Sequence, residues 1–266
     1  MNSRALMTIP TTLVPTRYGY MHVIDQDKWV SRALRELGEH SEGEVNTIRQ
    51  VLAQLRPGPE GFIIVDAGAY IGDMTLPFSQ MAAHVYAFEP QPAVREILNA
   101  NLEVNSCTNV TVLPYALGHE CKTISFSQTD ESRESPGSQN FLLEPDGDTR
   151  VEMRTLDSLD INPTIIKADV EGMEYLLLAG AQKTIARCRP FLFLEVDTVT
   201  TPGTPPWERV MQELGYVGYR VQTPFWVPNN FNHVPSDPFE GTVSFMLLGV
   251  PLVPAIRIAY APSEAT

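Results

Sequence analysis

From residue 62 onward the chain alternates short apolar runs with longer stretches of helical spacing. FIIVDAG, HVYAFEP, VTVLPYALG, TIIKADVEG and PFLFLEVD are rich in β-branched and aromatic residues and end in turn formers, the signature of buried strands. Helices are predicted between them, from about Gly72 to Met81, through QPAVREILNANLEVN with Pro92 in its first turn, through EYLLLAGAQKTIARC, and around PPWERVMQELG. KTISFSQ and VEMRTLDSL read as strands on either side of a polar segment, residues 128–150, to which no structure is assigned. VGYRVQ and TVSFMLLGV close the pattern, with the loop TPFWVPNNFNHVPSDPFEG between them. Strands that are apolar throughout and alternate with helices predict an α/β fold, a mostly parallel sheet covered on both faces. Upstream, residues 26–55 carry helical spacing on both sides of GEHSEGE, so two helices joined near Gly38 to Gly43 are expected. RPGPEG, residues 56–61, separates them from the first core strand.

Composition narrows the partners. Nineteen Lys and Arg against 32 Asp and Glu give a formal charge of −13 in 266 residues. Nucleic acid and anionic membranes reward basic surfaces and are therefore not expected as partners. A neutral or cationic small molecule, or a divalent ion, fits this balance. Cys107, Cys121 and Cys188 are scattered, with no CxxC and no His at ligand spacing, which reads as reduced thiols in a cytoplasmic protein. The first 19 residues have no continuous apolar core, which argues against a signal peptide. VSFMLLGVPLVPAIRIAYAP is broken by Pro251, Pro254 and Arg257 and fits a buried strand with an irregular tail better than a membrane span.

IIVDAGAYIGDMT, residues 63–75, is the start of a nucleotide-type cofactor site: a buried strand, an acid, two glycines four apart, then a helical segment. It lacks the GxGxxG of dinucleotide-binding loops and the Gly-Lys-Ser/Thr of a P-loop. In a doubly wound sheet such a loop lies beyond the carboxyl ends of the strands, where ligands bind. Gly68 and Gly72 let the backbone approach a ligand, and the helix start beyond them offers N–H groups to an anion. Glu89, in YAFEP, lies 21 residues beyond Gly68 at the end of the second strand, where a carboxylate can accept both hydroxyls of a ribose.

With VDAGAYIGDMTLPFS, YAFEPQP, NVTVLPYALG, TLDSL, IIKADVEGMEYLLLAGA, PFLFLEVD and VSFMLLGVP in this order, the chain resembles the FkbM-type S-adenosylmethionine-dependent methyltransferases. TRYGYM and GEHSEGEV also resemble segments of one branch of that family. The resemblance implies a Rossmann-like class I domain over residues 61–266, with a seven-stranded sheet whose last strand is antiparallel, and an N-terminal helical lid over residues 1–60. It implies S-adenosylmethionine as cofactor, with Asp66, Gly68, Ala69, Tyr70, Gly72, Thr75, Glu89, Pro90, Ala116 and Asp169 around it. Tyr70 stands where related sequences usually have Asn, and its ring packs either on the ligand or in the core. PYALG offers no acid for the adenine amino group, so backbone groups near Tyr115 and Ala116 are expected to serve.

Methyl transfer needs an aligned acceptor and a destination for its proton. Asp169 ends the fourth strand, and Lys167, two residues earlier, shares its face. Lys167 either neutralises a developing alkoxide or forms a buried pair with Asp169 or Glu89. Asp169, Glu195 and Asp197, at neighbouring strand ends, could hold Mg²⁺ through oxygen ligands; otherwise Asp169 orients the acceptor alone. His233 is the late-loop candidate for a base, and Glu171 is read as a first-turn helix residue. The GEHSEGE turn, Glu42 in particular, either closes over the methionyl end of the cofactor or merely joins two helices. The expected reaction is O-methylation of a small molecule or sugar hydroxyl, and the partner is a small-molecule or glycan acceptor. N-methylation of an amine, a nicotinamide oxidoreductase and a non-catalytic cofactor binder are the alternatives. Residues 128–150 are a flap over the acceptor or a contact in a homo-oligomer.

Overall fold

The computed structural model describes residues 9–58, 60–126, 149–196 and 205–252. The chain opens with a hairpin, β1 (Thr11–Thr16) and β2 (Gly19–Ile24), followed by α1 (Val30–Leu37) and α2 (Glu42–Ala53). Then come β3 (Ile63–Ala67), α3 (Thr75–Ser79), β4 (His84–Phe88), α4 (Pro92–Val104), β5 (Val110–Leu113), β6 (Tyr115–Leu117), β7 (Lys122–Phe126) and β8 (Thr149–Arg154). After a 3₁₀ turn at Leu156–Ser158 follow β9 (Ile165–Ala168), α5 (Glu174–Ala179), α6 (Gln182–Cys188), β10 (Phe191–Glu195), α7 (Trp207–Leu214), β11 (Tyr216–Pro224) and β12 (Val243–Pro251).

Seven strands form one sheet in the order β11-β12-β10-β9-β3-β4-β5. The five from β10 to β5 are parallel, and β12 runs antiparallel to both β10 and β11. Every residue of β3 and β9 is buried. Their alternate side chains supply opposite cores, as the two-residue period of a strand requires. Ile64, Val85, Ile165 and Phe193 meet Val45, Ile48 and Leu52 of α2 and Phe78 of α3 on one face. Val65, Ala67, Ile166, Ala168, Leu192 and Leu194 meet Leu177, Leu178, Ile185 and Val210 of α5 to α7 on the other. Each fully buried aliphatic or aromatic side chain contributes about 1.5–3 kcal/mol, so this double layer dominates the stability.

The central α/β pattern is as expected, and the differences from it have local causes. VTVLPYALG is not one strand. Pro114 has no N–H for a ladder, and beyond it β6 leaves the main sheet to pair with β8 in a three-stranded sheet, order β6-β8-β7. EYLLLAGAQKTIARC breaks into two helices at Gly180. A Cβ there would lie 1.9 Å from the carbonyl oxygen of Gly118, so the chain needs a bare backbone at this crossing. The helix expected from Gly72 is only α3, because residues before Thr75 form the turn that faces the site. Glu171 is not in a helix: it has φ 55° in the turn before α5, whose first residue is Glu174.

The region before α1 is a hairpin rather than helix. It docks on α4 through Asn101, which accepts from the His22 amide at 2.6 Å and donates to the carbonyls of His22 and Ile71. Asn105 accepts from the Tyr20 amide at 2.9 Å and donates back to its carbonyl. These side chains replace the missing strand partner of the hairpin. Most of residues 128–150 lies outside the described residues. The three cysteines are free thiols. Among the described residues no helix is long and apolar enough to cross a membrane.

Candidate active site

A cavity of about 500 Å³ opens above the carboxyl ends of β3, β4, β9 and β10, the position at which doubly wound sheets bind ligands. Its floor is the turn after β3. Gly68 has φ 75°, and a Cβ on it would lie 1.8 Å from the carbonyl oxygen of Asp169, so only glycine lets the ends of β3 and β9 pack here. Tyr70 has φ 49°, the left-handed region that Asn tolerates and bulkier residues rarely enter. Two bonds hold it there: its amide donates to Glu89 Oε2 at 3.0 Å, and its hydroxyl donates to Asp27 Oδ2 at 3.1 Å. Tyr70 lines the cavity and also packs against the core beneath the hairpin.

Glu89, at the end of β4, is 4% exposed and lines the cavity. It accepts from the amides of Tyr70 and Gln91, the latter at 2.8 Å. Burial nevertheless raises its pKa to about 7, against the pull of those amides and of Arg95. Pro90, Gln91, Tyr115, Ala116, Leu117, Val170 and Met173 extend this side as a largely uncharged wall.

The opposite wall is charged. Lys167 Nζ, buried, lies 3.4 Å from Asp66 Oδ1 and 3.7 Å from Asp169 Oδ2, and donates to the Gly68 carbonyl at 3.1 Å. Burial alone would lower its pKa, but Asp66, Asp169, Asp73 and Glu44 together raise it, so it stays protonated. Lys167 pairs with Asp169, whose side chain is partly exposed, and forms its buried pair with Asp66 rather than Glu89. Asp66 is fully buried beneath the floor, where it accepts from Thr75 Oγ1 at 2.6 Å. Burial raises its pKa, opposed by Lys167 and Thr75. Asp66, Ala69, Gly72 and Thr75 thus shape the loop from behind, while Gly68, Tyr70, Glu89, Pro90, Ala116, Lys167, Asp169 and Glu195 line the cavity.

Two of the candidate residues lie off the cavity. His233 is exposed on the late loop and is not among the cavity-lining residues. Its loop is turned instead toward the end of α1, where Asn232 donates to the carbonyls of Arg35 and Glu36. Glu42 points away into a cluster with Tyr18, Arg17 and Arg49. The residues of the GEHSEGE turn that reach the cavity are His40, Ser41 and Glu44. His40 Nδ1 lies 2.8 Å from Asp73 Oδ2, and its ring meets Phe225 edge-on at 5.1 Å. Burial lowers the His40 pKa, but Asp73, Glu44 and Asp27 outweigh it and raise the value. Burial raises Asp73, and the His40 contact overcomes this and lowers it. Glu44, 4% exposed, is hydrogen-bonded by the Ser244 hydroxyl. For the metal set, Asp169 and Glu195 adjoin at the ends of paired strands, but Asp197 lies outside the described residues. Among the described residues no group of three acidic, His or Cys side chains is arranged to hold a metal ion.

The sheet order, the antiparallel β12 and a cavity bounded by a glycine turn and a strand-ending Glu define a Rossmann-like class I methyltransferase fold. The chain belongs to the FkbM methyltransferase family: the sequence profile of the Methyltransferase FkbM domain matches residues 66–221, more than half of its length. Among solved structures it is similar to methyltransferase FkbM from Methylobacillus flagellatus, with 17% identity and a TM-score of 0.44, covering 84% of this chain and 55% of that one. It is also similar to the magnesium protoporphyrin IX methyltransferase of Synechocystis, solved with bound S-adenosylmethionine, with 15% identity, a TM-score of 0.45 and 85% of each chain covered. This chain thus spans about half the length of the M. flagellatus protein. A comparison with curated proteins returned no match.

Proposed function

We propose that the protein transfers a methyl group from S-adenosylmethionine to a hydroxyl of a small molecule or sugar. The observation that carries the cofactor assignment is Glu89. It is a buried carboxylate at a strand end, each oxygen accepting one backbone amide and retaining capacity for a further donor, with its pKa raised by burial to about 7. Two vicinal ribose hydroxyls are donors of the kind that would complete it. The uncharged wall at Ala116, Leu117 and Val170 suits an adenine, and the charged wall suits an amino-acid moiety. When bound, S-adenosylmethionine supplies the electrophilic methyl group; the protein supplies alignment and proton handling.

Asp169 carries the acceptor assignment. Its side chain is 42% exposed, at the end of β9 beside Lys167 and next to Glu195 across the paired strands. It can accept a hydrogen bond from an acceptor hydroxyl and orient its oxygen, while the protonated Lys167 steadies charge that develops there. An amine acceptor is the second reading, favoured by the six carboxylates, Glu44, Asp73, Glu89, Asp169, Glu171 and Glu195, that line the cavity. The deciding experiment follows S-adenosylhomocysteine release from S-adenosylmethionine across matched panels of sugars, phenols and amines. Turnover with hydroxyl acceptors that collapses in Asp169→Asn supports the first reading. Turnover confined to amines supports the second.

A further inference from the structure

Given the cofactor proposed above, we infer that His40, clamped by Asp73, receives the carboxylate of its methionyl group. An anion at a glycine turn usually finds backbone amides. Here four of them are already spent: Gly68 and Ala69 both donate to the Phe88 carbonyl, Tyr70 to Glu89, and Gly72 to the Ala69 carbonyl. With these four taken, a side-chain cation is the stronger available partner for the carboxylate, and the described cavity lining holds two candidates, Lys167 and His40. Lys167 has a complete set of acceptors in Asp66, Asp169 and the Gly68 carbonyl. His40 directs Nδ1 to Asp73, which leaves Nε2 with the Ser41 hydroxyl at 3.4 Å as its one contact among the described residues, too long for a firm bond.

Position agrees with charge. Asp73 directly follows Gly72 of the turn, so the His40–Asp73 pair stands at the charged end of the cavity, away from the uncharged wall beyond Glu89. Asp73 fixes the ring and favours its cationic form, as a carboxylate partner does. The ammonium of the same moiety would meet Glu44 and Asp169 in that wall. His40 and Glu44 come from the turn and helix that precede the sheet, so this region would help bind the cofactor as well as cover it.

The test compares two ligands by calorimetry: S-adenosylhomocysteine, and 5′-methylthioadenosine, which lacks the amino-acid moiety. Wild type, His40→Ala and the larger His40→Gln, which guards against collapse of the turn, are each titrated with both. The expected result is that either substitution weakens S-adenosylhomocysteine by about tenfold or more and leaves methylthioadenosine within about twofold. Equal weakening of both ligands would make His40 a structural residue and overturn the inference. So would unchanged S-adenosylhomocysteine affinity with lost turnover, which would assign His40 to the acceptor's proton. Neither ligand binding to folded wild type would overturn the cofactor proposal itself, a separate outcome.

Discussion

The two walls of the cavity are built in different ways. The floor and the uncharged wall come from consecutive pieces of the chain, Gly68 and Glu89 just past the ends of β3 and β4 and Ala116 within β6. The charged wall is assembled across the chain, from His40 and Glu44 before the first core strand, Asp73 after it, Lys167 in β9 and Ser244 in β12. In the first, geometry follows from strand pairing, so a residue's place along the sequence fixes its place in space. In the second, it depends on how an added helical layer docks, and buried charges hold the pieces together.

That difference sets the order of expected effects. The largest is at the buried ion cluster. Lys167→Met leaves Asp66, fully buried, with only the Thr75 hydroxyl, and removing one partner of such a pair costs about 3–5 kcal/mol. Urea denaturation should show this loss, and a change below about 1 kcal/mol would mean that the cluster does not hold the wall.

A smaller effect separates the walls by pH. With burial as the main cause, the Glu89 pKa is raised from 4.5 to about 7 in the folded protein, so between these values the folded state holds a proton that the unfolded state has lost. The stability contributed by this group therefore falls as pH rises through that window. Hydroxyl donors need the ionised carboxylate, so ligand affinity should move the opposite way. It should rise about tenfold per pH unit up to about 7 and then level off. Titrations of S-adenosylhomocysteine from pH 5.5 to 8 would show this, and a flat profile would remove Glu89 from the contact.

The smallest effect is at His233. It is exposed and outside the cavity, so His233→Ala should change kcat/KM by no more than about twofold. A loss of a hundredfold would mean that the late loop closes over the acceptor.

The same contrast explains what could be read from the sequence. The parallel sheet and the places of Gly68, Glu89 and Asp169 follow from apolar runs ending in Gly, Glu and Asp, because strand ends are local features, whereas the antiparallel final strand is implied only by the family resemblance. Lys167 was legible through its two-residue offset from Asp169, although its partner Asp66 was not, since that pairing depends on β3 lying beside β9. His40 was invisible: no neighbouring residue signals that Asp73, 33 positions away, will meet it. The helical spacing of GEHSEGE could not say which of its acids turns inward; Glu44 does, and Glu42 is held outside by Tyr18 and Arg49. The hairpin escaped because its strands pair only with each other and the free edge of β2 is completed by the side chains of Asn101 and Asn105 rather than by a further strand.

The most direct test of the account is a calorimetric titration of S-adenosylhomocysteine into wild type and Glu89→Gln at pH 7.5. The account predicts clear binding to wild type and a loss of about 3 kcal/mol, roughly a hundredfold in Kd, in the variant, where a charged acceptor of two hydroxyls is gone. Equal affinity in both proteins, or no binding to folded wild type, would contradict it.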